Sequence, residues 1–201
     1  VRGRVAVLTA LLALAVVPSA QADSRTISDR RGDTKGSHWP GPGYVWATEG
    51  QCAGFWMNST TGACSGEGDY FENAGPRLDI TSVFHGHRGR SVVHRLTTTR
   101  RWANTILSGS TGGQISFYFD TDSDAAVERR VDVVLVRGKL KVRNAGRAAT
   151  ARRPNRRTVE IVFPRSLLRG HVEWFAFAGI QCRRKYDLCG DRTRLAAHHL
   201  G

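Results

Sequence analysis

Residues 114–136 read QISFYFDTDSDAAVERRVDVVLV, and the reading of this stretch decides the fold. Ile115, Phe117 and Phe119 fall on one face of its first half, with Ser116, Tyr118 and Asp120 on the other. Val131, Val133 and Leu135 repeat the alternation in the second half. A period of two in β-branched and aromatic residues is the period of a strand. Asp120 to Asp124, D-T-D-S-D, separates the two runs and is rich in residues that turn a chain by bonding their own backbone. The stretch therefore predicts a hairpin with an acidic turn.

Working outward, residues 79–85 and 91–99 predict two more strands, with His87-Arg88-Gly89-Arg90 as the turn between them. A polar loop, 100–113, leads into the central hairpin. Residues 140–144 form a strand after the Gly138 turn, and residues 158–163 another, with Val159, Ile161 and Phe163 inward. Pro164 opens a single helical turn through Leu168. Residues 172–180, VEWFAFAGI, are apolar on both sides, as a buried central strand is. Residues 37–76 show no period and read as a long ordered loop, and the tail from Arg183 reads as irregular. Seven or eight short strands without a sustained helical period predict an all-β fold, an antiparallel β-sandwich, jelly-roll-like, with long disulfide-stapled loops. Residues 23–77 are the N-terminal segment and aromatic-rich loop of the same domain whose core and C-terminal loop span 78–201.

Residues 1–22 stand apart as a signal peptide. Arg2 and Arg4 give a positive start, residues 5–17 an apolar run too short to span a bilayer, and Ala20-Gln21-Ala22 a small-x-small cleavage site. Secretion is expected, with no membrane span, and the valine at position 1 reads as a non-AUG start codon from a bacterial source. In an oxidising compartment the four cysteines are expected to form disulfides. Four cysteines allow three pairings, and the local one, Cys52–Cys64 with Cys182–Cys189, is the simplest. Neither spacing is the C-x-x-C type that a zinc site would want.

The 30 basic residues, less Arg2 and Arg4, leave 28 against 17 acidic ones, a net charge of +11 for the mature chain. Such a charge favours anionic partners. It is also localised: no acidic residue occurs between Asp132 and Glu160, where Arg137, Lys139, Lys141, Arg143, Arg147, Arg152, Arg153, Arg156 and Arg157 do. Lys139, Lys141 and Arg143 alternate with Leu140 and Val142, a basic stripe on the wet face of a strand.

Asp29 to Asp33, D-R-R-G-D, is followed by G-P-G-Y at 41–44, L-D-I-T-S-V at 78–83 and F-Y-F-D-T-D at 117–122. A hydrophobic strand ending in F-P and a cysteine-bracketed loop ending near Asp191 complete the order. From Asp29 to Leu200 this order resembles the family 9 carbohydrate-binding and DOMON group of secreted β-sandwiches, including the C-terminal modules of glucodextranase-type enzymes. Arg30 departs from the D-P-x-G-D frequent in that group, and the Cys52–Cys64 segment enlarges the loop. The resemblance implies carbohydrate binding and a structural calcium.

Calcium takes six to eight oxygens, and aspartates near glycine turns supply them. Asp29 and Asp33 flank such a turn. In the resembling modules that segment folds against the start of the first core strand, where Asp79 lies, and Asp191 joins if the chain ends converge. Asp120, Asp122 and Asp124 form a second acidic group, without the glycine and distal glutamate of an EF-hand loop. Its competing reading is an ordinary turn, with Arg129 and Arg130 close enough to neutralise it. Sugar binding requires flat rings beside polar groups, and Trp39, Tyr44, Trp46 and Trp56 supply the rings, unless they pack on one another as the loop's own small core. His85 and His87 share a strand face, with His94 across the hairpin, as zinc or copper ligands or as solvent-facing histidines.

The chain has no G-x-S-x-G, H-E-x-x-H or C-x-x-C-H motif, and a non-catalytic protein is expected. Two readings follow. One is a secreted module binding polysaccharide or cell-wall glycan through the aromatic loop. The other is a secreted structural or interaction protein that binds an anionic cell-surface polymer, or a protein partner, through an arginine-rich face. Nucleic acid is not the expected partner.

Overall fold

A computed structural model describes residues 24–37, 42–47, 50–52, 56–64, 70–72, 78–108, 113–124, 126–168, 171–181 and 188–199. At 35–37, 46, 56, 70–72, 171, 180–181, 188–189 and 198–199 it describes the backbone alone. The expected signal peptide lies outside these residues.

The N-terminal half supplies β1 (Arg25–Ser28), β2 (Lys35–Ser37), β3 (Tyr44–Trp46), β4 (Trp56–Asn58), β5 (Tyr70–Glu72), β6 (Ile80–Arg88) and β7 (Ser91–Thr98). Then come β8 (Gln114–Asp120), β9 (Arg129–Val136), β10 (Lys139–Arg143) and β11 (Thr150–Asn155). The chain ends with β12 (Thr158–Pro164), β13 (His171–Gln181), β14 (Leu188–Arg192) and β15 (Ala196–His199). Five strands form one antiparallel sheet in the order β1-β6-β7-β12-β11. The second sheet runs β10-β9-β8-β13-β14-β2-β5, with β15 also on β13, and β3-β4 is a separate ribbon. No α-helix occurs among the described residues, and none there is long and apolar enough to cross a membrane.

The two large sheets pack face to face, and the period-two alternation decides what lies between them. Ile115, Phe117 and Phe119 on β8, Val131 and Val133 on β9, and Trp174 on β13 meet Val83, Leu96 and Phe163 from the other sheet. His85 and His94 sit in this layer too, fully buried. They are register partners across the β6–β7 hairpin, with His85 Nδ1 and His94 Nε2 2.7 Å apart. Trp174 stacks on His85 at 5.3 Å between ring centroids, and Phe163 on His94 at 5.9 Å. The two rings join the core's aromatic packing and do not face solvent, which corrects that reading of them.

The central hairpin stands as expected, but its outward face is also buried. Tyr118 is 0% exposed and stacks on Phe175 at 4.6 Å. Arg192 lies 3.8 Å from the Phe175 ring centroid, and Val127 completes this second cluster. The segment around Cys52 reaches this face, because Gly50 and Val127 exchange backbone hydrogen bonds of 2.9 and 3.3 Å.

Several boundaries differ from the sequence reading. Strand β6 runs on through Arg88, so the turn holds only Gly89 and Arg90. The supposed loop 37–76 contains three short strands, and β14 and β15 lie in the supposed irregular tail. These strands have three to five residues each, too few for a visible period. Strand β11 was hidden by its arginines and Pro154. It is an edge strand, where a proline removes no needed hydrogen bond, and its pairing slips between Arg152 and Asn155. β10 is the corresponding edge of the other sheet, and its exposed Lys139, Lys141 and Arg143 keep that edge from pairing with another chain. The Pro164 turn is a short 3-10 turn, Arg165–Leu167.

Trp174 touches both core histidines, so Trp174→Ala should cost about 3–5 kcal/mol, the usual range for emptying a buried aromatic site. Urea unfolding checks this: the midpoint should fall while the slope stays constant, and an unchanged midpoint would contradict the packing described.

Candidate functional site

One end of the sandwich gathers carboxylates from three parts of the chain. After β1 the chain turns at Gly32, whose φ of +79° suits glycine. The Gly32 amide donates to both oxygens of Asp79, at 3.0 and 3.2 Å, and the Thr99 hydroxyl donates to Asp79 Oδ2 at 2.5 Å. Leu78 takes a left-handed φ of +69° and is wholly buried. A side chain there costs roughly 1–2 kcal/mol. The conformation sinks Leu78 into the core immediately before Asp79 joins the cluster.

Asp191 arrives from the other sheet, on β14. Its Oδ2 accepts the Ile80 amide at 2.6 Å, and its Oδ1 accepts the Arg192 amide at 2.8 Å. Asp33, Asp79 and Asp191 can each offer an oxygen so that all lie within 4.8 Å of one another. Asp29 stands beside them, its amide donating to Thr81 O at 2.9 Å.

The electrostatics of this end are unbalanced. Burial pushes the Asp191 carboxyl up to about 7, and the charges of Asp29 and Asp33 push the same way against the Ile80 and Arg192 amide bonds. Burial raises Asp29 to about 6, with Asp33 and Asp79 adding to it and Arg194 offsetting only part. Asp29 Oδ2 and Asp33 Oδ1 are buried and accept no hydrogen bond. A buried acceptor without a donor costs roughly 1–3 kcal/mol. Convergent carboxylates with unused, buried oxygens are the donor set of a hard divalent cation, and the residues present fit one. Asp29, Asp33, Asp79 and Asp191 could hold it.

The second acidic group behaves as a turn. Asp120 Oδ1 accepts the Ser123 amide at 2.6 Å, and Asp124 Oδ1 accepts the Ala126 amide at 2.8 Å. Of the two arginines expected to neutralise it, Arg130 pairs instead through Nε with Asp132 at 2.6 Å. Glu128 joins the group, accepting the Thr121 amide at 2.6 Å, so Asp120, Asp122, Asp124 and Glu128 offer oxygens within 4.8 Å of one another. No sequence period pointed to Glu128. Its place follows from the length of the turn. Among the described residues, the groups of three or more ligand atoms close enough to share an ion are these two, and neither contains a histidine.

Cys52 and Cys64 are bonded, with Cα atoms 5.2 Å apart. A disulfide and the absence of a spanning helix among the described residues are compatible with an extracellular protein. Cys182 lies outside the described residues, and only the backbone of Cys189 is described. Trp39 also lies outside them. Tyr44, Trp46 and Trp56 come together on the β3–β4 ribbon: Trp46 is the register partner of Trp56, and Tyr44 of Asn58. Tyr44 is half-buried, and the side chains of Trp46 and Trp56 are not described. The bond Cys52–Cys64 and the Met57–Cys64 bridge hold this ribbon.

Comparison of the chain with protein-family models, curated proteins and solved structures found no match.

A carboxyl with a raised folded pKa takes up protons on folding, so its contribution to stability falls as pH rises from the unfolded value toward the folded one. For Asp29 that window runs from about 3.8 to about 6. In the absence of divalent ions, Asp29→Asn should gain on the parent protein as pH rises through this window. The expected gain in melting temperature is about 2–4 °C, modest because Asp29 is only half-buried and solvent screens it. Thermal melts from pH 4 to 7.5 in EDTA check this, and a pH-independent difference would count against the crowded carboxylates.

Proposed function

We propose that this chain is a secreted, non-catalytic β-sandwich module, similar to the family 9 carbohydrate-binding and DOMON group, that binds a carbohydrate or cell-wall glycan on its stapled aromatic ribbon. The observation that carries this reading is the register of β3 on β4. Trp46 is the register partner of Trp56, and Tyr44 stands two residues along β3 from Trp46. Three aromatic residues gathered within two register positions of one ribbon offer the residue type that sugar binding requires. The segment between its two strands is tied down at Gly50 by Val127 and at Cys52 by Cys64, which reduces the order to be gained on binding.

The same reading assigns calcium to Asp29, Asp33, Asp79 and Asp191, as a structural ion clamping the segment after β1 to both sheets. When bound it supplies charge neutralisation and fixed oxygen coordination. The chain's own residues support this assignment through the two buried, unbonded carboxylate oxygens and the raised carboxyls. Its ligands must lose protons to bind, so affinity should rise with pH up to about 7, following Asp191.

Two measurements test the proposal. Saturating CaCl2 at pH 7.5 should raise the melting temperature by about 5–10 °C, corresponding to roughly 2.7 kcal/mol at a hundredfold excess over Kd. Asp191→Asn should abolish most of the rise, EDTA should reverse it, and no rise in the parent protein would remove the ion. In pull-downs on insoluble glycans, retention should persist at high salt and fall about tenfold in Trp46→Ala, a loss of about 1.4 kcal/mol. Retention that disappears in high salt and ignores Trp46 would sink the aromatic ribbon as the site.

A further inference from the structure

The arginines of the five-stranded sheet fall into two sets with different surroundings. On the outer face, Glu160 has a fully buried side chain under three guanidinium groups. Arg152 Nε lies 2.7 Å from Oε1, Arg95 Nη2 2.8 Å from Oε2, and Arg88 Nη2 3.6 Å from Oε1. These guanidinium bonds, Arg152 first, hold the Glu160 carboxyl below its usual range against its burial. One carboxylate thus orients three cations, whose side chains remain 41–61% exposed. The row keeps a surplus of positive charge and points it outward.

The second set lies at the end of the same strands. Arg101, Asn155, Arg156 and Arg157 line a cavity of about 570 Å³. The β11–β12 turn that carries it is unusually well fixed. Arg153 donates to Trp102 O at 3.0 Å, to Asn104 Oδ1 at 2.9 Å and to Arg156 O, and its guanidinium lies 3.6 Å from the Trp102 ring centroid. The Trp102 amide donates to Arg156 O at 3.1 Å, and the amide and hydroxyl of Thr98 both donate to Arg157 O at 3.0 Å. The carbonyls of the turn are thus consumed inward, while the Arg156 and Arg157 side chains are exposed. Among the described residues, no carboxylate forms an ion pair with Arg101, Arg156 or Arg157.

Uncompensated like charges on a rigid turn repel one another unless an anion joins them. We propose that this cavity, continued by the Glu160 row, binds an anionic glycan, a sugar polymer carrying carboxylate or sulfate groups. Glu160 lies on β12 three residues after Arg157, which lines the cavity, so about 10 Å of extended chain separates the row from it. A polymer carrying repeated oxyanions can engage both sets of arginines. Guanidinium forks match such oxyanions bidentately. A single-stranded nucleic acid would need bare rings on which its bases could stack. The rings at this face are already covered: Arg95 lies over Phe84 and Arg153 over Trp102. This site shares no residue with the aromatic ribbon or with the carboxylate cluster, although Thr98 bonds Arg157 and the adjacent Thr99 bonds Asp79 at the same end of the sheet.

The test is a titration of the full chain with a heparin octasaccharide (sulfate) and an oligogalacturonate (carboxylate), with a DNA oligonucleotide of equal charge alongside. Binding of at least one glycan at 50 mM NaCl should weaken about tenfold or more in the Arg156→Ala/Arg157→Ala double variant. Lys139→Ala/Lys141→Ala removes the same charge from the other sheet's edge and should change it less than about twofold. Trp46→Ala should leave it unchanged. Thermal melts show whether the arginine variant folds, which is expected because only exposed side chains are removed. Equal losses in the two double variants would reduce the effect to net charge and overturn the site. No glycan binding, or DNA bound as tightly with the same dependence on Arg156 and Arg157, would overturn the ligand class.

Discussion

The hydrogen bond from the Ile80 amide to Asp191 joins residues 111 positions apart, and the rest of the molecule is arranged around what it holds together. Ile80 begins β6, in the five-stranded sheet, and Asp191 lies on β14, in the other. The bond therefore spans the two layers at an end of the sandwich. It also forces a carboxylate into a place that burial makes unfavourable, beside Asp33 and Asp79. The interaction that aligns the sheets thus creates the electrostatic problem that a cation would resolve. Fold and site cannot be separated here, because removing the carboxylates would also remove the tie.

Away from that end, the sandwich is held by ring packing. Trp174 is the register partner of Phe119 and contacts both His85 and His94, so one residue of the central strand links three others in two sheets. Burying imidazole in such a layer is tolerable because the histidines bond each other at 2.7 Å, leaving the pair to meet much of its own need for partners.

How much of this could be read beforehand depended on strand length and on what sets each contact. The long strands β8, β9 and β12 announce themselves by alternation and β13 by being apolar on both sides, since each has at least seven residues. Strands β2, β3, β4 and β5 have three residues each, and three residues carry no period. The convergence of Asp29, Asp33, Asp79 and Asp191 was legible only as acidic residues beside turns and through the family resemblance, because their meeting is a property of topology. The left-handed Leu78 had no sequence signal at all, since nothing about a leucine asks for positive φ. Glu160 looked like any outward glutamate on a strand. Its role arises from Arg95 and Arg152 occupying the opposite register positions, and pairing across β7, β12 and β11 cannot be read from one chain's order.

The two outer faces of the sandwich are treated in opposite ways, and this contrast carries the functional argument. On the larger sheet the outward residues Tyr118, Phe175 and Phe177 are buried, and the stapled segment reaches that side through Gly50 and Val127. That face has been converted into a second, smaller core. On the five-stranded sheet the outward residues include Arg88, Arg95, Arg152 and Glu160, and the guanidinium groups remain open to water. A surface kept only for solubility would gain from mixing signs evenly, because surplus like charge repels itself. Here the single acidic residue is buried beneath the cations and spent on orienting them. The nearby Arg101, and Arg156 and Arg157 on a turn fixed by Arg153, Trp102 and Thr98, have no acidic partner among the described residues. Edge protection accounts for Lys139 and Lys141, which lie at the margin of a sheet. It does not account for arginines set in the middle of a face and at a rigid turn, and their arrangement makes sense as a surface that meets negative charge.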